Sequence, residues 1–389
     1  MMLYSLIQKS DVSWKQFHTQ VQETPLSKIT DEDATTQGSN YDYIPKEIRA
    51  IIDDAVKWKK TYGFRIHSDR YNVNMILPIQ NGEALSKAKL TKYERFCRES
   101  LYKIYLWLSV ADKFAPHECS QVMNINLFFT DHLKTLAKTK MQPLDQEHVN
   151  TAFTTSCEPS TEINLFRSEE WFKVFIHETF HNLGMDFSEM DCSEADRLIL
   201  GLFPIQASDI RLFETYCEMW AEIMNVLFTV FFSSKRSVHN RTITKSRQQI
   251  LQEIERLLKL EAAWSMFQSG KVLDHYGLTY DQLTDKTSVA SSVKRTAQYK
   301  EKTYVLSYYI IKSVFMTHIN SFIEWCIENK QSIAFEKTPT RIREYCGLVQ
   351  RFYQSPEYLS KIGVVQEWFH HNKGPKDFIL STMRMTALG

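Results

Sequence analysis

The sequence is poor in chain breakers, with 11 glycines and 10 prolines in 389 residues. Glycine is usually about 7% of a globular chain, more than twice its share here. With aromatics at 13%, this scarcity favours long helices packed through large side chains. Charge of one sign is also missing. Lys+Arg 47 against Asp+Glu 46 leaves a net charge of +1, so no global positive field exists to hold a nucleic acid backbone. No long hydrophobic run is present. The most apolar stretch, Ile223 to Phe232, is half of the roughly 20 residues that a membrane span needs, and reads as a buried helix. The opening Met1 to Lys9 has too short an apolar run for a signal peptide. Neither an internal repeat nor a low-complexity tract is visible. The seven cysteines, Cys97, Cys119, Cys157, Cys192, Cys217, Cys326 and Cys346, include no CxxC pair and are odd in number. They read as thiols of a reducing compartment, which predicts a cytoplasmic protein.

What is present is an ordinary soluble composition, 43% hydrophobic and 24% charged, in a chain two to three times the length of a typical domain. That length can hold two lobes with a cleft between them. Residues 28–42 are polar and read as a linker. Amphipathic helices are predicted over Pro45 to Tyr62 and Leu90 to Ala111. The period then changes. Met123 to Thr130 reads as a strand, and Val149 to Cys157 with Glu162 to Phe166 as a hairpin turning at Pro159. Ser168 is the expected cap of a helix over 169–183, stopped by Gly184. From Ser208 the pattern is helical throughout: Asp209 to Phe232 with Ser208 as cap, Ser246 to Gln268 ended by Gly270, and Tyr299 to Ile327. The expected division is 1–80, helical or flexible; 81–205, an α/β half; and 206–389, a helical half.

The helix over 169–183 contains His177-Glu178-Thr179-Phe180-His181, an HExxH pattern. Residues four apart on a helix face the same way, so both imidazoles can reach one tetrahedral Zn²⁺. Glu178 points close to such an ion but not at it, which suits a general base acting on an activated water. The pattern is short enough to arise by chance. Its position inside an apolar helix, where an unpaired His-Glu-His would be costly to bury, gives it weight. Two histidines do not complete a site. Phe187, six residues after His181, cannot ligate, and Asp186 would need a shifted turn. The next long helix carries Glu214, Glu218 and Glu222 on one face, flanked by Phe213, Met219, Trp220, Ile223 and Met224. A solvated acidic stripe is the usual meaning of that spacing. After an HExxH helix it reads better as a ligand, with a second acid one turn on that bonds a ligand histidine.

HExxH followed by Glu214-Thr215-Tyr216-Cys217-Glu218-Met219-Trp220-Ala221 resembles the gluzincin zinc metallopeptidases. The string from His148 through Cys157, with Glu162-Ile163-Asn164 and the HExxH helix, also resembles metallopeptidases of large nucleocytoplasmic DNA viruses. That likeness covers residues 120–225 and would make this a viral protein of the host cytoplasm or virion. The gluzincin resemblance implies that Glu214 joins His177 and His181 on Zn²⁺ and that Glu218 supports them; a register one turn on would give Glu218 and Glu222. It further implies a helix-rich α+β, zincin-like fold. A small mixed sheet and the HExxH helix would fill the first half, an all-helical second half would follow, and the active-site cleft would lie between them. The partner implied is a peptide or protein substrate, extended along an edge strand of the 149–166 hairpin. A residue stabilising the oxyanion is also implied. Tyr308 is selected from the run Tyr304 to Lys312, where Tyr304 and Tyr308 share one face and Tyr309 and Lys312 another; His275-Tyr276 is a second option. The rival expectation is a non-catalytic structural or host-protein-binding protein on the same scaffold. Against it, a purely structural zinc has no use for Glu178.

Overall fold

A computed structural model describes residues 1–24, 44–57, 60–66, 70–77, 86–235, 237–238, 241–242, 245–328, 332–372 and 377–389. The linker expected over residues 28–42 lies outside them. Six strands form one mixed sheet: β1 (Val21–Thr24), β2 (Lys60–Ile66), β3 (Tyr71–Leu77), β4 (Val122–Phe128), β5 (Ala152–Thr154) and β6 (Ser160–Leu165). Their order is β1-β2-β3-β4-β6-β5. Strands β3, β4 and β6 run parallel, while β1 with β2, β2 with β3, and β5 with β6 are antiparallel. Strands β1 to β3 lie within residues 1–80, expected to be helical or flexible, and β3 pairs directly with β4 beyond them. The chain is thus α+β and helix-rich, as expected.

Alternation decides which face of the sheet is buried. Tyr71, Val73 and Met75 on β3, Met123, Ile125 and Leu127 on β4, and Ile163 and Leu165 on β6 are all buried. They join one core with helix Lys87–Ala111 and helix Trp171–Asn182. The opposite face carries asparagine ladders, Asn72 to Asn124 and Asn74 to Asn126 to Asn164, each step a 3.0 Å amide bond. Trp107 locks the first helix to the second by donating from Nε1 to Thr179 Oγ1 at 2.6 Å. The HExxH helix is therefore wedged between the sheet and the helical half, and every residue of Trp171–Asn182 is buried.

Helix ends depart from expectation where tertiary contacts take over the capping groups. Ser168 does not cap the HExxH helix. Glu170 is its N-cap residue in left-handed backbone (φ 56), and the Glu170 carboxylate turns inward to Lys134 and to the Thr386 N–H. Ser208 does not cap the acidic helix either, which runs Leu212–Lys235. Its start is set by Arg211, at φ 51, and by Asp196, which accepts from the Ile210 N–H at 3.0 Å. Gly270 does not end its helix. That helix runs Arg247–Tyr276 and stops at Gly277, φ 63. A Cβ at Gly270 would lie 2.4 Å from Val365 Cγ1, so the missing side chain allows close approach of helix Pro356–His371. Tyr62 falls in β2, since the helix predicted over Pro45 to Tyr62 runs only Lys46–Lys57.

The cysteines also differ from expectation. Cys119, before β4, is bonded to Cys157, in the hairpin between β5 and β6, with Cα atoms 4.9 Å apart. The other five are free thiols. An odd and scattered count hid one tertiary pair, and the pair removes part of the argument for a reducing compartment. Among the described residues no helix is long and apolar enough to cross a membrane.

Candidate functional site

The HExxH helix ends in a left-handed turn that shapes the site. Gly184 has φ 60, and the Met185 N–H bonds back to the Phe180 carbonyl at 2.8 Å, the six-to-one closure of a Schellman motif. A side chain here would be strained twice over, since a Cβ would meet Cys119 Sγ at 2.7 Å. The turn folds Asp186 back beneath His181, whose Nδ1 lies 2.5 Å from Asp186 Oδ2. Asp186 therefore meets the outer nitrogen of the ring. It orients His181 instead of replacing a ligand.

The other ring nitrogens converge. His177 Nε2 lies 3.1 Å from Glu214 Oε2, His181 Nε2 lies 3.3 Å from the same oxygen, and the two Nε2 atoms are 3.3 Å apart. Four donors about 2.0–2.1 Å from a tetrahedral zinc are separated from one another by roughly 3.3 Å. The three atoms already stand at that spacing. The Asp186 contact favours the proton on His181 Nδ1. On the other ring, Nδ1 of His177 faces Glu218 Oε1 at 3.0 Å, bent away from a straight hydrogen bond but close enough to draw the proton there. Burial would lower both histidines, but the surrounding carboxylates raise them above their usual range. A cation displacing their Nε2 protons would meet two lone-pair nitrogens and a carboxylate oxygen facing one point. The chemistry of the donor set, two imidazoles and one carboxylate with a position left open, fits zinc.

A second trio, His181, Asp186 and Cys217, also clusters, but less evenly, at 2.5–3.8 Å, and it would use His181 through Nδ1. At 2.5 Å from Oδ2 that nitrogen is hydrogen-bonded, too near for both atoms to ligate one ion. Burial pushes the Cys217 thiol well above its usual range, and its sulfur lies 3.8 Å from His181 Nδ1 and 3.7 Å from Asp186 Oδ2.

Glu178 and Tyr308 line the same cleft as the three converging residues. Among the described residues the Glu178 carboxylate has no hydrogen-bonding or ion-pair partner. Burial raises its pKa, opposed by the adjacent His177 and His181. Burial, reinforced by the Glu214, Glu178 and Glu218 carboxylates, holds the Tyr308 phenol well above the ordinary range. It is thus a protonated donor. Glu214 moves the other way: burial would raise its carboxyl, but His181 and His177 outweigh it and hold it ionised. Tyr308 belongs to a single π-helical stretch, Leu306–Ile311, a widened turn that often marks functional sites. Its ring centre is 6.1 Å from that of His177. The stretch is tied to the acidic helix, with Thr215 Oγ1 donating to the Ser307 carbonyl at 3.0 Å and Ser307 Oγ donating to the Ile210 carbonyl at 2.7 Å. The alternative pair is elsewhere: His275 bonds the Gln142 carbonyl and Tyr276 the Lys300 carbonyl.

The cleft has a volume of about 660 Å³. One wall is β5, one of the two edge strands of the sheet, continued by Thr155 and Ser156. Asn182, at the end of the HExxH helix, fixes that wall by donating to Thr154 Oγ1 at 2.7 Å and to the Thr155 carbonyl at 2.5 Å. Buried Arg167 fixes the approach to it, donating to the carbonyls of Asn150, His132 and Glu147. The facing wall carries Tyr304 and Tyr308, with the Arg211 guanidinium stacked 4.3 Å over the Tyr304 ring.

The sequence pattern therefore names His177, Glu178, His181, Glu214, Glu218 and Tyr308, and the structure brings all six together. Glu222 is one turn too far along and pairs with Lys312. Missed were the orienting role of Asp186, the two lysines on Glu218, and Arg167. Lys173 carried a usable signal, as a lone cation within an otherwise apolar helix. No known family model, curated protein or solved structure matches the chain.

Proposed function

We propose that the chain is a zinc-dependent peptidase. The observation carrying this reading is the convergence of His177 Nε2, His181 Nε2 and Glu214 Oε2 at 3.1–3.3 Å. Glu218 and Asp186 stand behind the two rings, and an unpartnered Glu178 lies beside an edge strand. His177, His181 and Glu214 would hold the zinc ion, which would supply Lewis-acid polarisation of a carbonyl and a lowered pKa, about 7, for water. Glu178 takes the proton from the attacking water and returns it to the leaving amine. Tyr308 donates its hydroxyl proton in a hydrogen bond to the oxygen that becomes negative. Strand β5 binds the substrate backbone as an added strand, which selects for an extended peptide with little demand on its sequence.

Incubation with a mixture of unstructured peptides, read by mass spectrometry, tests the proposal. Cleavage should stop with a zinc chelator and return on adding zinc. Zinc binding without cleavage of any peptide would favour the non-catalytic alternative.

The role of Tyr308 predicts a kinetic split. Tyr308→Phe removes one oxyanion donor and should lower kcat by about 10²–10³-fold, with KM changed only a few-fold. An unchanged kcat would remove Tyr308 from the chemistry.

A further inference from the structure

Behind the cluster lies a buried ionic lattice that the proposed reaction does not use. Glu218, which faces His177 Nδ1, is held from its far side by two lysines. Lys173, from the HExxH helix itself, contacts both of its carboxylate oxygens. Lys312, which follows the π-helical turn bearing Tyr308, reaches Glu218 Oε2 at 3.1 Å and Glu222 Oε2 at 2.7 Å. All four groups are buried. Two cations and two carboxylates balance, which satisfies the requirement that buried charge be paired.

Both lysines are in turn met by Met385, from the far end of the sequence. Lys312 Nζ donates to the Met385 carbonyl at 2.9 Å, and Lys173 Nζ lies 3.9 Å from Met385 Sδ. The segment Thr382–Leu388 is strapped down along its length. Lys271 donates to the Thr382 carbonyl at 2.6 Å, Tyr309 to Met383 at 2.7 Å and Gln268 to Arg384 at 2.8 Å. Glu170, at the N-cap of the HExxH helix, accepts from the Thr386 N–H at 2.7 Å. Glu261 accepts from Thr386 Oγ1, the Ala387 N–H and the Leu388 N–H at 2.8–3.0 Å. One strap therefore touches the HExxH helix, the helix bearing Tyr309 and Lys312, and the long helix Arg247–Tyr276. Through the lysines it also sets where Glu218 stands.

We infer that Lys312 and the segment Thr382–Leu388 are positioning elements of the proposed metal centre, holding Glu218 and hence the His177 ring in the orientation that presents Nε2 to the ion. This rests on the zinc reading above and adds a part of the chain more than 160 residues beyond Glu218. Partners that orient a ligand histidine typically change metal affinity by 10–100-fold when removed.

The test uses the full chain with zinc and with cobalt as its spectroscopic substitute. Lys312→Met should weaken zinc binding 10–100-fold and shift the visible cobalt bands, while Lys312→Arg, which retains a cation, should recover most of both. Far-UV circular dichroism and thermal unfolding of the metal-free proteins show whether each variant is folded. Should Lys312→Met fail to fold, Thr386→Val takes its place. It cuts the strap's side-chain bond to Glu261 without touching Glu218, and should weaken zinc binding several-fold. Wild-type affinity and an unshifted cobalt spectrum in whichever variant is folded would overturn the inference. A wild-type chain that binds no zinc would instead overturn the zinc reading, so the two failures are told apart.

Discussion

Glu178→Gln should keep its zinc and lose peptide hydrolysis by about 10²–10⁴-fold, the range over which general-base catalysis contributes. The expectation follows from where the carboxylate stands. Glu178 is on the HExxH helix between the two histidines, yet it makes none of the contacts that join His177, His181 and Glu214. Glutamine has the same shape and can still hydrogen-bond, so the fold and the three converging atoms should be undisturbed. What glutamine cannot do is accept a proton. Metal content by plasma emission spectroscopy and turnover of a cleaved peptide are the two readouts. Full metal with full activity would remove Glu178 from its role.

His181→Ala should have the opposite signature: loss of the metal itself, and of activity with it. His181 Nε2 is one of three donors, and two remaining donors leave zinc held too weakly to survive dialysis. The substitution also strands Asp186, which is fully buried and would lose its imidazole partner at 2.5 Å. An unpaired buried carboxylate is costly, so the metal-free variant should melt below the metal-free wild type. Retention of stoichiometric zinc by His181→Ala would show that the ion sits elsewhere.

Much of this site was legible because its chemistry is carried by local spacing. His177 and His181 are four apart on one helix, and Glu214 and Glu218 four apart on another, so helical period alone puts each pair on one face. The choice between Glu214 and Glu218 as the third ligand was not legible. It depends on where the acidic helix begins, and that is set by the left-handed Arg211 and the Asp196 contact, neither visible as a pattern. Asp186 was rightly set behind Glu214 as a ligand, but its orienting role was not legible for a related reason: the turn at Gly184 that swings it under Nδ1 is tertiary. Glycine itself misled at Gly270, where it marks a helix crossing instead of an end. Lys173, Lys312 and the Thr382–Leu388 strap combine residues up to 212 positions apart, beyond any periodicity argument. The scarcity of glycine and proline proved a sound guide to the long helices.

The central claim, one zinc on His177, His181 and Glu214, is most directly tested by zinc-edge X-ray absorption on the purified chain loaded with one equivalent. The account predicts two imidazole nitrogens, one carboxylate and an oxygen from solvent, at about 2.0–2.2 Å. A sulfur neighbour at about 2.3 Å would place the ion on one of the free cysteines, such as Cys217. A shell of four protein ligands, or no bound zinc, would contradict the claim.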